Sequence, residues 1–476
     1  MLIAYTVSPV HTLDMFVDQA RQLVDMGADS IAIKDMAGLL KPNAAELLIT
    51  SLRAELPDMP IHVHTHDTSG CGVASMLAAA KAGADIVDVA VDGMAGLTSQ
   101  PSMGALAAAL ADTELDTGLT LEDLDPINTY WEGVRNLYKP FESGQLSGSS
   151  DVYRHEIPGG QYTNLLFQAT QLGLQERWTE VKRKYAEANL LLGDIPKVTP
   201  SSKVVGDLAQ FMVSQKLNKE QVLEQAENLA FPDSVIEYFQ GAIGQPPGGF
   251  PEPLRSRILK SRKLPDGTDR FDGRPGKSLP DFDFEAAEMA LSSKFGAAAV
   301  RPQDALSYAL YPKVFADWQD YKAVFGEPEL LPTHLFLNPM KEGDEVEVEI
   351  EKGRRFTIKL VSIPPPDSEG KRKVIMELNG ERWFMTVTDS TIEGGTTARE
   401  KASAMEAGSI GSPMPGVIVD VKVKPGDVVE EGDAIAVLSA MKMETVIPAS
   451  TAGTVERLLV VQGDKVEGDD LLATIS

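Results

Sequence analysis

Only one cysteine, Cys71, occurs in 476 residues. A single thiol excludes an intramolecular disulfide and suits a reducing compartment. Basic residues are also scarce. Lys and Arg number 44 against 70 Asp and Glu, a formal net charge of −26 at pH 7. Such a surface repels phosphate backbones and anionic headgroups, so neither nucleic acid nor a membrane surface is an expected partner. No apolar run reaches the roughly 18 residues of a membrane-spanning helix. The first residues show neither a secretory signal nor a basic, Ser/Arg-rich transit pattern. No Gly-rich phosphate cradle is present, and Pro246-Pro247-Gly248-Gly249 reads as a turn. The cytoplasm or the mitochondrial matrix is the expected location.

What is present begins with a regular alternation. Strand-like runs at Leu2–Val7, Ser30–Met36, Pro60–Thr68 and Ile86–Asp92 are each followed by a helical run: Thr12–Met26, Pro42–Leu56, Gly72–Ala84 and Pro101–Leu110. Apolar strands alternating with helices indicate a buried parallel sheet of βα units. The period suggests a (β/α)8 barrel, which needs eight units where four are countable. The expected fold class is therefore α/β, with a partial TIM barrel over 1–115 that starts halfway round. A helical extension follows over 116–285, broken by Ile157-Pro158-Gly159-Gly160 and by Gly244–Gly249, with a polar, Gly/Pro-rich linker at 263–283. A small α+β domain is expected over 286–390. There Asp344–Val361 alternates as a half-buried strand, and Lys373–Val387 forms two more around Asn379-Gly380. Residues 391–410 read as a flexible linker, with an r.m.s. span of roughly 25 Å.

The last segment, 411–476, repeats itself. Gly416-Val417-Ile418 through Val423-x-x-Gly426-Asp427 recurs as Gly453-Thr454-Val455 through Val460-x-x-Gly463-Asp464. Two β-rich halves of one pattern imply a small quasi-symmetric all-β sandwich. The turn between the halves carries Lys442 inside Ala440-Met441-Lys442-Met443-Glu444. A lysine between two methionines at an exposed turn packs poorly, and suits a covalently attached swinging group.

A second constellation lies in the barrel. His62, His64 and His66 fall within five residues, and i, i+2, i+4 positions of a strand share one face. Imidazoles at adjacent positions on one face can converge on a divalent cation. Strand C-termini form the catalytic face of a barrel. His64 and His66 are the better ligands, since His62 lies a layer deeper. Lys34-Asp35 ends the preceding strand, and reads either as functional or as a solvated strand terminus.

Taken in order, these segments resemble the pyruvate carboxylase family. The resemblance rests on Lys34–Leu39, His62–Gly70, Gly96–Ser102, Ile157–Asn164, Val198–Lys203 and Ala440–Glu444. The stretch Ala4–Pro9 leans toward the related oxaloacetate decarboxylase and transcarboxylase subunits. The resemblance implies the second half of a carboxyltransferase barrel, a tetramerisation and allosteric domain, and a biotin carboxyl carrier domain of the biotinyl/lipoyl type. It implies biotin on Lys442, added by biotin protein ligase, and a divalent metal, Mn²⁺ or Zn²⁺, held by His64, His66 and a carboxylated Lys34. It assigns Thr199 as the proton shuttle and places Ser202 and Lys203 against the biotin ring. On its own, Thr199 before Pro200 reads as a helix cap, and Ser202 and Lys203 as surface residues. The implied reaction moves a carboxyl group from carboxybiotin to pyruvate, giving oxaloacetate. It is anaplerotic and gluconeogenic, and runs in a homo-oligomer, a tetramer. The chain shows no biotin carboxylase domain, so that activity must come from elsewhere. Two alternatives stay open: a decarboxylase or transcarboxylase subunit, and a truncated biotinylated carrier without catalysis.

Overall fold

The computed structural model describes residues 1–476 except 261, 265, 272, 279, 297–299, 302, 368–369, 390–398, 404–407 and 441–442; of 278, 350, 351, 388, 440, 443 and 444 it describes the backbone alone. The described chain divides into two compact units. One comprises Met1–Pro275 with Arg399–Ser476, the other Gly276–Ala398.

The first unit opens with four βα repeats. Strands β1 (Leu2–Ala4), β2 (Ile31–Asp35), β3 (Ile61–Thr65) and β4 (Ile86–Val87) alternate with helices α1 (Leu13–Asp25), α2 (Pro42–Glu55), α3 (Gly72–Lys81) and α4 (Met103–Leu110). The strands form a parallel sheet in the order β1-β2-β3-β4. This is the partial-barrel arrangement expected from the alternation. Local chemistry sets the helix starts. The side chains of Thr12 and Ser102 accept the Met15 and Ala105 N–H groups, and Pro42 opens α2. Strands β2 and β3 share one burial rhythm. Ile31, Ile33, Ile61 and Val63 are fully buried in an apolar cluster with Ala20, Ile49, Leu52, Met76 and Ala79 of the helices. The alternate residues, Lys34, His62 and His64, therefore stand on the other face.

The helical extension runs through α5 (Leu121–Tyr138), α6 (Val152–His155), α7 (Gly159–Gln171), α8 (Trp178–Leu191), α9 (Ser201–Ser214), α10 (Lys219–Gln225), α11 (Asp233–Gln240) and α12 (Leu254–Leu259). Its centre is α9, nearly every residue of which from Ser202 to Val213 is buried. Helices α7, α8 and α11 pack around it.

The second unit holds α13 (Phe284–Phe295), α14 (Asp304–Leu310), α15 (Pro312–Phe325) and α16 (Thr333–Leu337). An antiparallel sheet of β5 (Glu345–Glu351), β6 (Arg354–Ser362), β7 (Lys371–Leu378) and β8 (Glu381–Thr388) follows. The stretch 344–361 is two strands where the alternation suggested one. Lys352-Gly353 turns the chain, with Gly353 at φ +81°, and a period of two is blind to such a reversal. The Asn379-Gly380 hairpin stands where expected, both residues at positive φ.

The C-terminal sandwich belongs to the first unit. Its strands are β9 (Ser409–Gly411), β10 (Gly416–Val421), β11 (Val428–Val429), β12 (Ala434–Ala440), β13 (Met443–Pro448), β14 (Gly453–Leu458), β15 (Lys465–Val466) and β16 (Leu471–Ile475). The sheets are β13-β12-β10-β15 and β11-β14-β16-β9. The sequence repeat is visible in the pairing: β10 lies between β12 and β15, as β14 lies between β16 and β11. Each Gly-Asp pair makes one turn. Gly426, Gly432 and Gly463 take φ of +95°, +97° and +94°. The following Asp427, Asp433 and Asp464 accept the N–H three residues back. The 391–410 linker falls partly outside the described residues. Of the rest, Arg399 donates to the Leu459 carbonyl and pairs with Asp464, Lys401 pairs with Asp470, and 409–411 is β9, so these residues are bound to the sandwich.

Candidate functional site

Asp35 and Asp67 have structural work at the strand ends. The fully buried Asp35 carboxylate accepts the N–H groups of Gly38, Leu39 and Leu40 at 2.8–3.1 Å and the Thr65 hydroxyl at 2.7 Å. It folds the chain after β2 back over the sheet. Gly38 there has φ +78°, and a Cβ would lie 2.5 Å from the His66 carbonyl oxygen. Asp67 accepts the Gly72 N–H at 2.7 Å at the start of α3. Burial pushes its pKa up, against the effect of that bond. Of the Lys34-Asp35 pair, Lys34 is left to face the histidines. Its Cα is paired in register with His64.

The three histidines are held by groups far away in sequence. His62 Nε2 and His64 Nδ1 each lie 2.7 Å from one oxygen of Asp88, just beyond β4. Burial raises the Asp88 pKa, but the two imidazole bonds outweigh it and hold the carboxyl below its usual range. His66 Nδ1 lies 2.6 Å from the Thr98 carbonyl. Carboxylates and carbonyls only accept, so both Nδ1 atoms carry hydrogen, and Nε2 is the nitrogen that His64 and His66 leave for a ligand. The two rings stand 5.4 Å apart, nearly perpendicular. In His62 the roles are reversed, which leaves Nδ1 free. Burial draws the His66 pKa down; the Thr98 bond and Asp35 oppose this, while the charges of His64 and Lys34 add to it. The His66 imidazole is thus kept neutral.

This donor set suits a divalent ion in one respect and falls short in another. Metal-bound histidines regularly give their second N–H to a carboxylate or carbonyl, as His64 and His66 do here. Yet among the described residues no group of three His, Cys, Asp or Glu side chains is placed to hold a metal. A third donor is needed, and Lys34 as an ammonium repels a cation. Carboxylated, it would present an anionic oxygen from the neighbouring strand.

Other segments close over this end of the sheet. Gly159, at the start of α7, donates to the Met36 carbonyl at 2.8 Å; a Cβ on it would meet His66 Nδ1 at 2.4 Å and the Thr98 oxygen at 2.6 Å. The Ile157–Gly160 break is thus the point where backbone must pass against the His66 bond. The buried Lys197 ammonium lies 2.7 Å from Glu156 and 3.2 Å from Thr6 Oγ1, just past β1. It ties the approach to α7 and the loop that carries Thr199 to the same end of the sheet as Lys34. Thr199 is exposed and caps nothing. The α9 N-cap is Pro200, and Ser201 Oγ bonds the loop. Ser202 is buried, its carbonyl accepting the Tyr185 hydroxyl at 3.4 Å. Lys203 is paired with the buried Asp207. Lys442 and Met441 lie outside the described residues. Ala440 and Met443, which flank them in sequence, are register partners at the ends of β12 and β13. Asp88, Thr98 and Gly159 were not singled out from the sequence for this site. The histidine triplet was the only signal pointing to the first two, since it required partners.

Beside this end of the sheet lies a buried histidine with a measurable consequence. His155 is 4% exposed, and its Nδ1 accepts the Ile157 N–H at 3.0 Å. Burial lowers its pKa to about 4, with Asp151 opposing and Lys182 assisting. An unfolded histidine titrates near 6.5, so between these values the unfolded state binds the extra proton and stability rises with pH. Lowering the pH from 7 to about 4.5 is expected to remove roughly 2.5 kcal/mol through this residue. Urea midpoints across that range should show it. The slope should be shallower in His155→Gln, and an equal slope in both proteins would refute the assignment.

Three family models match parts of the chain. Residues 8–130 match an HMGL-like family, 152–359 a conserved carboxylase domain, and 408–475 a biotin-requiring enzyme domain. The chain is 50% identical over 467 residues to the human mitochondrial pyruvate carboxylase and 48% identical over 467 residues to pyruvate carboxylase 1 of Caenorhabditis elegans. Both matches take in 98% of this chain and 39% of the relative, so the chain spans about two fifths of these curated relatives. Among solved structures, the complete multifunctional pyruvate carboxylase of Rhizobium etli matches at 41% identity and a TM-score of 0.68, over 99% of this chain and 43% of that one. The carboxyl transferase domain of the same enzyme, with pyruvate and biocytin, matches at 42% identity and 0.70, over 82% of this chain and 65% of that one.

Proposed function

Because the chain corresponds in sequence to the C-terminal portion of the pyruvate carboxylases, we propose that it performs the carboxyl-transfer half of that reaction and carries the biotin that serves it. Pyruvate is the acceptor and oxaloacetate the product. Partners are a biotin protein ligase and a biotin carboxylase, within a homo-oligomer of the tetrameric kind. The observation that carries the reading is the histidine arrangement. Two imidazoles, each with Nδ1 committed to a partner, leave their Nε2 atoms without one beside Lys34 at the C-terminal end of a parallel sheet.

His64, His66 and a carboxylated Lys34 are the residues that would hold Mn²⁺ or Zn²⁺. Bound there, the metal supplies Lewis-acid stabilisation of an oxygen anion next to the reacting carbon. Biotin, joined to the Lys442 amine as an amide, supplies the carboxyl carrier. The chain's own residues do the rest. The Asp88 carboxylate and the Thr98 carbonyl fix the tautomers and aim the rings. The Thr199 hydroxyl moves a proton between the methyl carbon of pyruvate and the carrier's ureido nitrogen. Ser202 and Lys203, at the first turn of α9, line the place where the ureido ring rests. Gly159 and the Lys197–Glu156 pair close the same end of the sheet.

Elemental analysis tests the centre of this reading. The double variant His64→Ala, His66→Ala is expected to lose its bound divalent metal. Asp88→Ala should keep the site but weaken it about 10- to 100-fold, as loss of an outer partner does. Full metal content in the double variant would remove the metal from the reaction.

A further inference from the structure

The sandwich is joined to its neighbour by more than a tether. Its two sheets end, on one flank, in the edge strands β9 and β13. Both strands line a single cleft whose opposite wall is the segment 227–231 with Ile236 and Gln240 of α11. Helix α11 packs against β13. The Gln215 amide, just past the C-terminus of α9, donates to the Pro413 carbonyl between β9 and β10. Ile410, Ile447 and Phe231 belong to one continuous buried apolar cluster. Edge strands with open N–H and C=O rows invite pairing, and here a helical body covers them.

From these contacts we propose that the helical extension is a docking seat, in cis, for the sandwich, entered by its β9/β13 flank and latched by Gln215 on Pro413. The occupant is this chain's own C-terminal domain. The seat is built for release. A cleft of about 630 Å³ stays open between the two walls, where a permanent core would be close-packed. It is also a station apart from delivery. Ser202 stands at the first turn of α9 and Gln215 just beyond its last, 13 residues along, which at 1.5 Å per residue is roughly 20 Å. The Pro413 loop enters β10 where Val417 pairs with Ser439. The seat therefore lies at the sheet end formed by Ala440 and Met443, the residues that flank Met441 and Lys442 in sequence. Any effect on Lys442 rests on the carrier reading, whereas the docking does not.

Nuclear relaxation of the full chain tests it directly. Amides of β10, β12, β14 and β16 are expected to tumble with the rest of the first unit. In Gln215→Ala, and more completely in Ala230→Arg, which puts a guanidinium into the cleft, the sandwich should tumble severalfold faster while its own dispersed signals persist. Biotin protein ligase should then label the chain severalfold faster. A wild-type sandwich that already tumbles independently would overturn the proposal. So would coupling that disappears on dilution, which would show the seat filled by a second copy. A chain that never accepts biotin but tumbles as one body would refute the carrier reading and leave the seat standing.

Discussion

Lys442→Ala is expected to abolish capture of the chain on avidin, and to remove one biotinyl increment from its intact mass. The effect is all-or-none, because the reaction acylates a single amine. Three features select that amine. Met441 and Lys442 are the two residues of the sequence between Ala440 and Met443, which pair at the ends of β12 and β13. The internal repeat makes this the junction of two equivalent halves, so a ligase can meet it without opening either sheet. Two other lysines of this unit are engaged, Lys401 with Asp470 and Lys422 with Asp420. Lys442→Arg should fail equally, since a guanidinium keeps the charge but cannot be acylated at neutral pH. Mass spectrometry after incubation with ligase, ATP and biotin decides it. Label on another residue in the variant would contradict the assignment.

The second large effect is expected at Thr199. Thr199→Ala should slow carboxyl transfer in the assembled enzyme by about 10²–10⁴, the usual contribution of a positioned proton-transfer group. Biotin content should be unchanged. Stability should move by less than about 0.5 kcal/mol, because Thr199 is exposed and caps no helix. Thr199→Ser keeps the hydroxyl and should recover most of the rate. Decarboxylation of added oxaloacetate reads the same proton transfer in reverse. A Thr199→Ala enzyme at full rate would sink the shuttle, and equal losses in the alanine and serine variants would indicate a packing role for the methyl group.

Much of this was legible along the chain because it is local. Apolar alternation marked β1 to β4, and Gly-Asp repeats marked the turns of the sandwich, since each such turn closes within three or four residues. What is non-local was misread or missed. Asp35, which read either as functional or as a solvated strand terminus, is buried and spends its carboxylate on the N–H groups of Ala37, Gly38, Leu39 and Leu40 and on the Thr65 hydroxyl. Lys352-Gly353 reversed a strand whose alternation continues on either side of the turn. Lys203 and Lys197, two cations near Thr199, differ only in what they meet. One reaches Asp207 on its own helix; the other reaches Glu156 and Thr6, 41 and 191 residues away in sequence.

The amino-acid order by itself determined that His62 and His64 share a face of β3, since a strand repeats every two residues. It could not say which nitrogen of each ring is free. That was decided by Asp88 and the Thr98 carbonyl, 24 and 32 residues from the rings of His64 and His66. A tautomer is chosen by the group that receives the hydrogen bond, and only the folded sheet brings that group within reach.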